Sequence, residues 1–406
     1  MAKNQGRRDL LILIGAVGLT WAASQLLSSP AAPGDQPALA NAPLLPNYFT
    51  SARDNVVTHN GRRAMLSSHL YPKATFVRDA FYGPLAMNDV NLSADCYQWF
   101  ARAQHRGTGQ IRTAVPFDPQ DEALFAPGDD DSSMLFIAWS AWLKRNRVSI
   151  DQTVVEKAFA FVQSHVHDDQ FVSPASAFCY WADTVKFDQA ERIAHNQGLY
   201  VLTLRAMQSL GWGNVSAQNV ASAKAHYANF FRSDLGAMTL GKDSWWADKL
   251  DISALFPEFL LRWMYNDSAL PDTTVRATVD HLRQVASVYQ SDKSIAGIKV
   301  ICTADGSFLG RERFFAPELN WPGDYHNGGY WPMYTLTALA MNYRLTRDPA
   351  IKQLIEQLVE VELAADHRSK EVIILAPNAI GTVNPDRSGY TWNALIVPAL
   401  KWAGIA

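Results

Sequence analysis

The run Tyr325-His326-Asn327-Gly328-Gly329-Tyr330-Trp331-Pro332 sets three aromatic rings, an imidazole and a carboxamide around two glycines, directly ahead of the apolar stretch "MYTLTALAMNYRL". Ring faces with a few fixed hydrogen-bonding groups suit a ligand with apolar C–H faces and many hydroxyls, and a sugar is such a ligand. Gly328 and Gly329 allow a tight turn, and Pro332 fits the first turn of a helix, where its missing N–H costs nothing. Five comparable clusters precede other apolar runs: "FVRDAFYG" around Arg78, "GDDDSS" around Asp131, "YWADT" to "HNQG" over 180–198, "WWADKLD" around Asp248 and "SGYTWN" around Tyr390.

Cleaving a glycosidic bond takes two carboxyl groups, one giving a proton to the leaving oxygen and one activating water on the opposite ring face. An inverting enzyme holds them roughly 6.5–9.5 Å apart, so they are expected on segments distant in sequence. Asp131 heads an apolar helix and is the candidate acid. Like charges at Asp129 and Asp130 would raise its pKa, and the helix terminus would oppose them. The plainer role for an Asp ahead of Ser-Ser is an N-cap.

The elements that position these groups read as helices throughout. "DSSMLFIAWSAWLKR", "NQGLYVLTLRAMQSL", "LDISALFPEFLLRWMY", "YWPMYTLTALAMNYRL" and "YTWNALIVPALKWAG" are apolar on more than one face and must be buried on most sides. Between them, runs such as "DQTVVEKAFAFVQSHV" and "DPAIKQLIEQLVEVELAA" carry a single apolar stripe. "IAGIKVICTAD" is the best strand candidate. The clusters recur at about fifty to seventy-five residues, room for a helical hairpin at 1.5 Å per residue. The expected fold is therefore all-α: six hairpins in a ring, with the inner helices starting at one common face.

Composition sets the remaining bounds. The 406 residues are 48% hydrophobic and 18% charged, with 13 Trp, enough for a large core. A net charge of −3 leaves no basic field for nucleic acid. Three cysteines and no CxxC or HExxH spacing argue against a disulfide framework or a structural metal, and no cofactor is expected. Lys3, Arg7 and Arg8 precede an uncharged stretch, Leu10 to Leu27, which reads as a signal anchor or signal peptide over residues 1–28. A Pro/Ala-rich tether covers 29–47 and one domain covers 48–406. This leader would place the body outside the cytoplasm, in the periplasm, held to the inner membrane or exported; oligomeric state is not legible.

The run from Tyr325 to Pro332 resembles a stretch found before an inner helix in the neutral invertases. "FVRDAFYG" is similar to the Trp-x-Arg-Asp-Ser signature of glucoamylase-like barrels, and "YWADT" and "DSSMLFI" have counterparts there too. Over roughly residues 70 to 400 the chain resembles the (α/α)6-barrel glycoside hydrolases of the amylo-α-1,6-glucosidase, neutral invertase and processing α-glucosidase branch. That resemblance implies an (α/α)6 toroid and an inverting glycosidase acting on an α-linked glucoside or related oligosaccharide. It implies that Arg78 and Asp79 grip the terminal sugar and that Asp131 is the acid. It also implies Glu371 as the base, because Glu371 lies twenty residues before Thr391, near the family spacing; the tyrosines that flank it in the family are missing here. Glu318 is the fallback. Trp181, Asp183, Asn196, Gln197, Tyr325, His326, Asn327, Trp331 and Tyr390 would border the sugar, with Lys249 and Asp251 weaker. Two alternatives stay open: a polysaccharide lyase with Tyr325 or His326 as base, and a carbohydrate-binding or exopolysaccharide-assembly protein that has lost its base.

Overall fold

The computed structural model describes residues 39–124, 130–382 and 387–406. The leader, the linker up to residue 38, Asp129 and the side chain of Asp130 lie outside what is described. Among the described residues no helix is long and apolar enough to cross a membrane.

Twelve α-helices make up the body among the described residues: α1 (Pro46–Arg53), α2 (Val77–Met87), α3 (Val90–Arg102), α4 (Asp130–Arg145), α5 (Gln152–Gln163), α6 (Ala194–Leu210), α7 (Ala217–Ala228), α8 (Phe256–Tyr265), α9 (Asp272–Val285), α10 (Pro332–Thr346), α11 (Pro349–Leu363) and α12 (Ile396–Ala403). They fall into two kinds. Every residue of α2 is buried, as is α10 from Pro332 to Tyr343, which fits sequences apolar on all sides. By contrast α11 buries a stripe, with Ile351, Ile355, Leu358, Val359, Glu362 and Leu363 inward and charged residues outward.

The even-numbered helices contact one another in order, α2 to α4, α6, α8, α10 and α12, and the short helical turn Trp392–Leu395 ahead of α12 packs back on α2. These contacts close a cycle. Odd-numbered helices pack outside it: α3 on α2, α5 on α4, α7 on α6, α9 and α11 on α10, and α1 against the 392–395 turn and α12. The closing joint depends on Gly83. A Cβ there would stand 2.6 Å from Thr391 Cγ2 and 2.3 Å from Met65 Sδ, so only glycine lets α2 approach the 391 segment this closely.

Side-chain caps occur on four of the outer helices, though not on α1 or α9. Among the outer helices, Asp89, Asp151, Ser216 and Asp348 cap α3, α5, α7 and α11 through side-chain bonds to backbone N–H groups. The inner helices α2, α6, α8, α10 and α12 start at Phe76, Ile193, Leu255, Trp331 and Leu395, with no side-chain cap bond. Their positive ends are thus not neutralised by their own caps and can act on groups beyond the helix.

Short antiparallel ladders tie these starts together. Ala74–Phe76, leading into α2, pairs with Ala114–Pro116; Leu250–Asp251, ahead of α8, pairs with Ile301–Cys302; single bridges join Tyr330 to Ile373 and Lys370 to Ser388. The expected strand around "IAGIKVICTAD" is present as Ile295–Ile298 and Ile301–Cys302, which pair with different partners.

Candidate active site

Each inner helix brings its first residues to the same region. Arg78 and Asp79 sit in the first turn of α2, Asp131 in that of α4, His195 in that of α6, Phe256 opens α8, Tyr334 lies in the first turn of α10, and Trp392 precedes α12. Ring contacts join them. Trp181 packs against Tyr334 at 4.2 Å between centroids, Trp331 at 5.0 Å and the His326 ring at 5.2 Å. His326 stacks on Trp331 with planes 16° apart, and Trp331 meets Trp392 at 5.8 Å. His195 and Phe256 close the floor beside Tyr334.

Charged groups ring this aromatic cluster. Arg78 Nη1 lies 2.9 Å from both oxygens of Asp131, whose side chain is wholly inaccessible. Asp79 is buried and takes a 2.5 Å hydrogen bond from Ser67 Oγ. Burial raises its pKa to about 6, against the lowering effect of that bond and of Arg78.

Glu371 stands on the segment between α11 and α12. Burial pushes its carboxyl up to about 8, while the Arg387 charge and a hydrogen bond from Tyr390 hold it down and the negative charges of Asp183 and Asp79 push it further up. At neutral pH it is mostly protonated. Its backbone N–H donates to Arg387 O at 2.8 Å, and the Arg387 guanidinium bonds Asp324 Oδ1 at 2.7 Å and lies 4.8 Å from the Tyr325 ring centroid.

Asp183 keeps 14% of its side chain accessible, the largest share among Asp79, Asp131, Asp183 and Glu371. Its Oδ1 lies 3.9 Å from His326 Nδ1. His326 Nδ1 shares a 2.7 Å hydrogen bond with Thr184 Oγ1, and burial together with Arg387 and Arg78 keeps the ring neutral, well below its ordinary pKa. His195 is likewise neutral, lowered to about 3 chiefly by burial, with Nδ1 3.0 Å from Ser253 O.

The glycine turn read from the sequence is present: Gly328 has φ +84°, a conformation glycine adopts freely. Tyr325 holds φ +43° without being glycine, a backbone cost that clusters at functional sites. Its phenol is raised well above its ordinary pKa by burial and by Glu371 and Asp183, so it keeps its proton.

Arg78, Asp79, Trp181, Asp183, Tyr325, His326, Trp331, Glu371 and Tyr390 therefore gather in one region. Asp131 meets it through Arg78 and lies close enough to Tyr334 to act on its phenol. An acid must face the leaving oxygen with a proton to give. Asp131 is sealed, with both oxygens held against the Arg78 guanidinium.

Three expected sugar contacts bond other parts of the protein, though Asn196 Oδ1 has no partner among the described residues. Asn327 bonds Leu309 N, Leu309 O and Asn320 O; Gln197 bonds Phe171 N and Ala223 O; the Asn196 amide donates to Ser173 Oγ and Cys179 O. Lys249 pairs with Asp248, and Asp251 accepts from Tyr180 and Ser253. Glu318 is exposed. The sequence reading missed Arg387, Asp324, His195 and Tyr334. His195 stood inside the "HNQG" cluster but was not singled out from it, whereas Tyr334 was hidden inside an apolar run. Two surface hollows, of ≈300 Å³ beside His59 and Trp99 and of ≈580 Å³ between Asp280 and Gln357, contain none of these groups.

No known protein family matches the chain by sequence, and no curated protein does. Solved structures do match by shape. A glycosidase bearing a glutamate-to-alanine substitution, in complex with glucose, superposes with a TM-score of 0.61 at 14% identity, over 89% of this chain and 96% of that one. A wild-type glycosidase gives 0.56 at 15% identity, over 82% and 88%. D-mannose isomerase gives 0.60 at 8% identity, over 92% and 100%. At these identities the likeness concerns the fold, which is glycosidase-like.

Proposed function

We propose that this chain is a glycoside hydrolase on an (α/α)6 toroid, with Glu371 as general acid and Asp183 as the carboxylate that activates water. The observation that carries the reading is the pairing of environments. Glu371 is buried and holds its proton to about pH 8, while Asp183, close enough to raise it, remains partly open to water. One carboxyl buried with its proton and a second still open to water are what the chemistry requires. The closed cycle of inner helices supports the toroid.

This assignment departs from the sequence expectation of Asp131 as acid and Glu371 as base. Asp131 instead holds Arg78, so that the guanidinium meets the sugar in a fixed orientation. Glu371 protonates the leaving oxygen, and Tyr390 and Arg387 keep its carboxyl in place. Asp183 takes a proton from a water attacking the opposite face, which gives inversion at the anomeric carbon. Trp181, Trp331 and Trp392 offer flat faces to the ring.

A neutral sugar fits the charges. Arg78 is matched by Asp131 and Arg387 by Asp324, so neither of these guanidiniums is left for a uronate. Tyr325 keeps its proton, which counts against its serving as the base of a lyase. The preferred substrate class is an α-linked glucoside or a related neutral oligosaccharide. The leader, read as an export or anchoring segment, would present the site to glycans of the cell envelope.

A glycosyl fluoride tests the acid, because fluoride leaves without a proton. Glu371→Gln is expected to lose natural glycosides by about 10²–10⁴-fold while retaining the fluoride, and Asp183→Asn to lose both. The opposite pattern restores the sequence expectation for Glu371 as base. A second reading, aldose–ketose isomerisation, draws on two neutral buried imidazoles, His195 and His326, and predicts conversion of a free hexose without a glycosidic bond.

A further inference from the structure

We infer that Glu362, far from the sugar in role, is the positioning residue that sets Glu371, through a clamp on the peptide immediately before it. Glu362 lies in the last turn of α11 with no accessible surface. Its Oε1 accepts the Lys370 N–H at 2.9 Å and the Asn393 side-chain N–H at 2.7 Å. Asn393, on the turn ahead of α12, donates as well to the Lys370 carbonyl at 2.6 Å. Both faces of the Lys370 backbone are thereby held by one carboxyl and one carboxamide that also bond each other. Glu371 is the next residue.

The other oxygen reaches a third element. Glu362 Oε2 accepts from Tyr48 OH of α1 at 2.5 Å. Two residues before Glu371, Ser369 takes a second tie to the same helix, its N–H donating to Ser51 Oγ at 3.0 Å. The acid-bearing segment is thus anchored from behind by α1, the first helix after the tether, and a hydrogen-bonded group with no route to solvent gives that anchor one geometry. A purely apolar contact would fill the same space and leave the buried Lys370 N–H without an acceptor.

This assignment rests on Glu371 being the acid, and the test separates the two ideas. Glu362→Met keeps the volume and removes both acceptors; Glu362→Gln keeps an acceptor for Lys370 and Asn393. In the full chain, Glu362→Met is expected to lower kcat on a natural glycoside at least tenfold with KM within threefold, to spare turnover of the glycosyl fluoride, and to be rescued by Glu362→Gln. Independently of any activity, amide hydrogen exchange at residues 369–371 is expected to speed up at least tenfold in Glu362→Met and to stay unchanged in Glu362→Gln. Should Glu362→Met fail to fold, Asn393→Ala removes the other half of the clamp and is read the same way. Unchanged exchange at 369–371 overturns the clamp. Faster exchange with both substrates lost equally overturns its action through Glu371. Absence of turnover in the wild type sinks the hydrolase reading and leaves the exchange result to decide the clamp.

Discussion

Replacing Glu371 by Gln should stabilise the fold while removing the activity, and the gain should depend on pH in a calculable way. The folded carboxyl titrates near 8 against an ordinary 4.5, chiefly because it is buried. A folded pKa above the unfolded one means that the folded state binds the proton more tightly. Its contribution is then fully present below about pH 4.5 and is lost as pH rises through 8. At pH 7 the unfolded chain has released the proton and the folded one has not. The gap of 2.5 units corresponds to about 3 kcal/mol at 1.36 kcal/mol per unit. Gln carries no ionised form, so it escapes this cost, less whatever its amide loses beside Arg387. For a domain of roughly 360 residues the unfolding entropy is about 0.75 kcal/mol/K, so 3 kcal/mol is worth about 4 °C in Tm. Thermal unfolding of both proteins from pH 4 to 8, followed by circular dichroism, should show curves that coincide near pH 4 and separate steadily above it. A constant offset, or a variant less stable at pH 7, would refute the burial argument.

Further outcomes follow from the same site. The alkaline limb of kcat/KM should fall with an apparent pKa near 8 as Glu371 loses its proton, read from initial rates on a neutral glycoside. Arg78→Met should cost about 3–5 kcal/mol in denaturant unfolding, because Asp131 is left charged and sealed. Arg78→Met with Asp131→Leu should recover most of that loss without recovering sugar binding. Gly83→Ala should cost about 1–3 kcal/mol, since Met65 can swing aside but Thr391 is held by bonds to Asn55 and Leu66, and a double variant Gly83→Ala/Thr391→Ser should regain part of it.

Much of the fold was legible because the inner helices carry apolar residues on every side, a pattern that only full burial explains. The clusters at Arg78, Trp181 and Tyr325 announced themselves by crowding polar and aromatic residues at helix starts. What could not be read was who pairs with whom. Asp131 and Arg78 are separated by 53 residues, and nothing local tells that one seals the other. Asn327, Asn196 and Gln197 carry the right chemistry for a sugar, and their amides also bond backbone groups and Ser173, partners set by tertiary structure and not by local sequence. Arg387 follows Pro385 and Asp386 in a polar stretch whose composition reads as an ordinary surface loop; only the fold lays its guanidinium against Tyr325 and beside Glu371.

The most direct test of the central claim is ¹H NMR of the product released when the full chain meets a panel of neutral glycosides. The proposed division of labour, Glu371 as acid and Asp183 as the carboxylate that activates water, predicts a free terminal sugar that appears first as the anomer opposite to the bond cleaved, and no such signal with Glu371→Gln. A sugar released with its anomeric configuration retained, an unsaturated uronate, or a ketose formed from free hexose would contradict it.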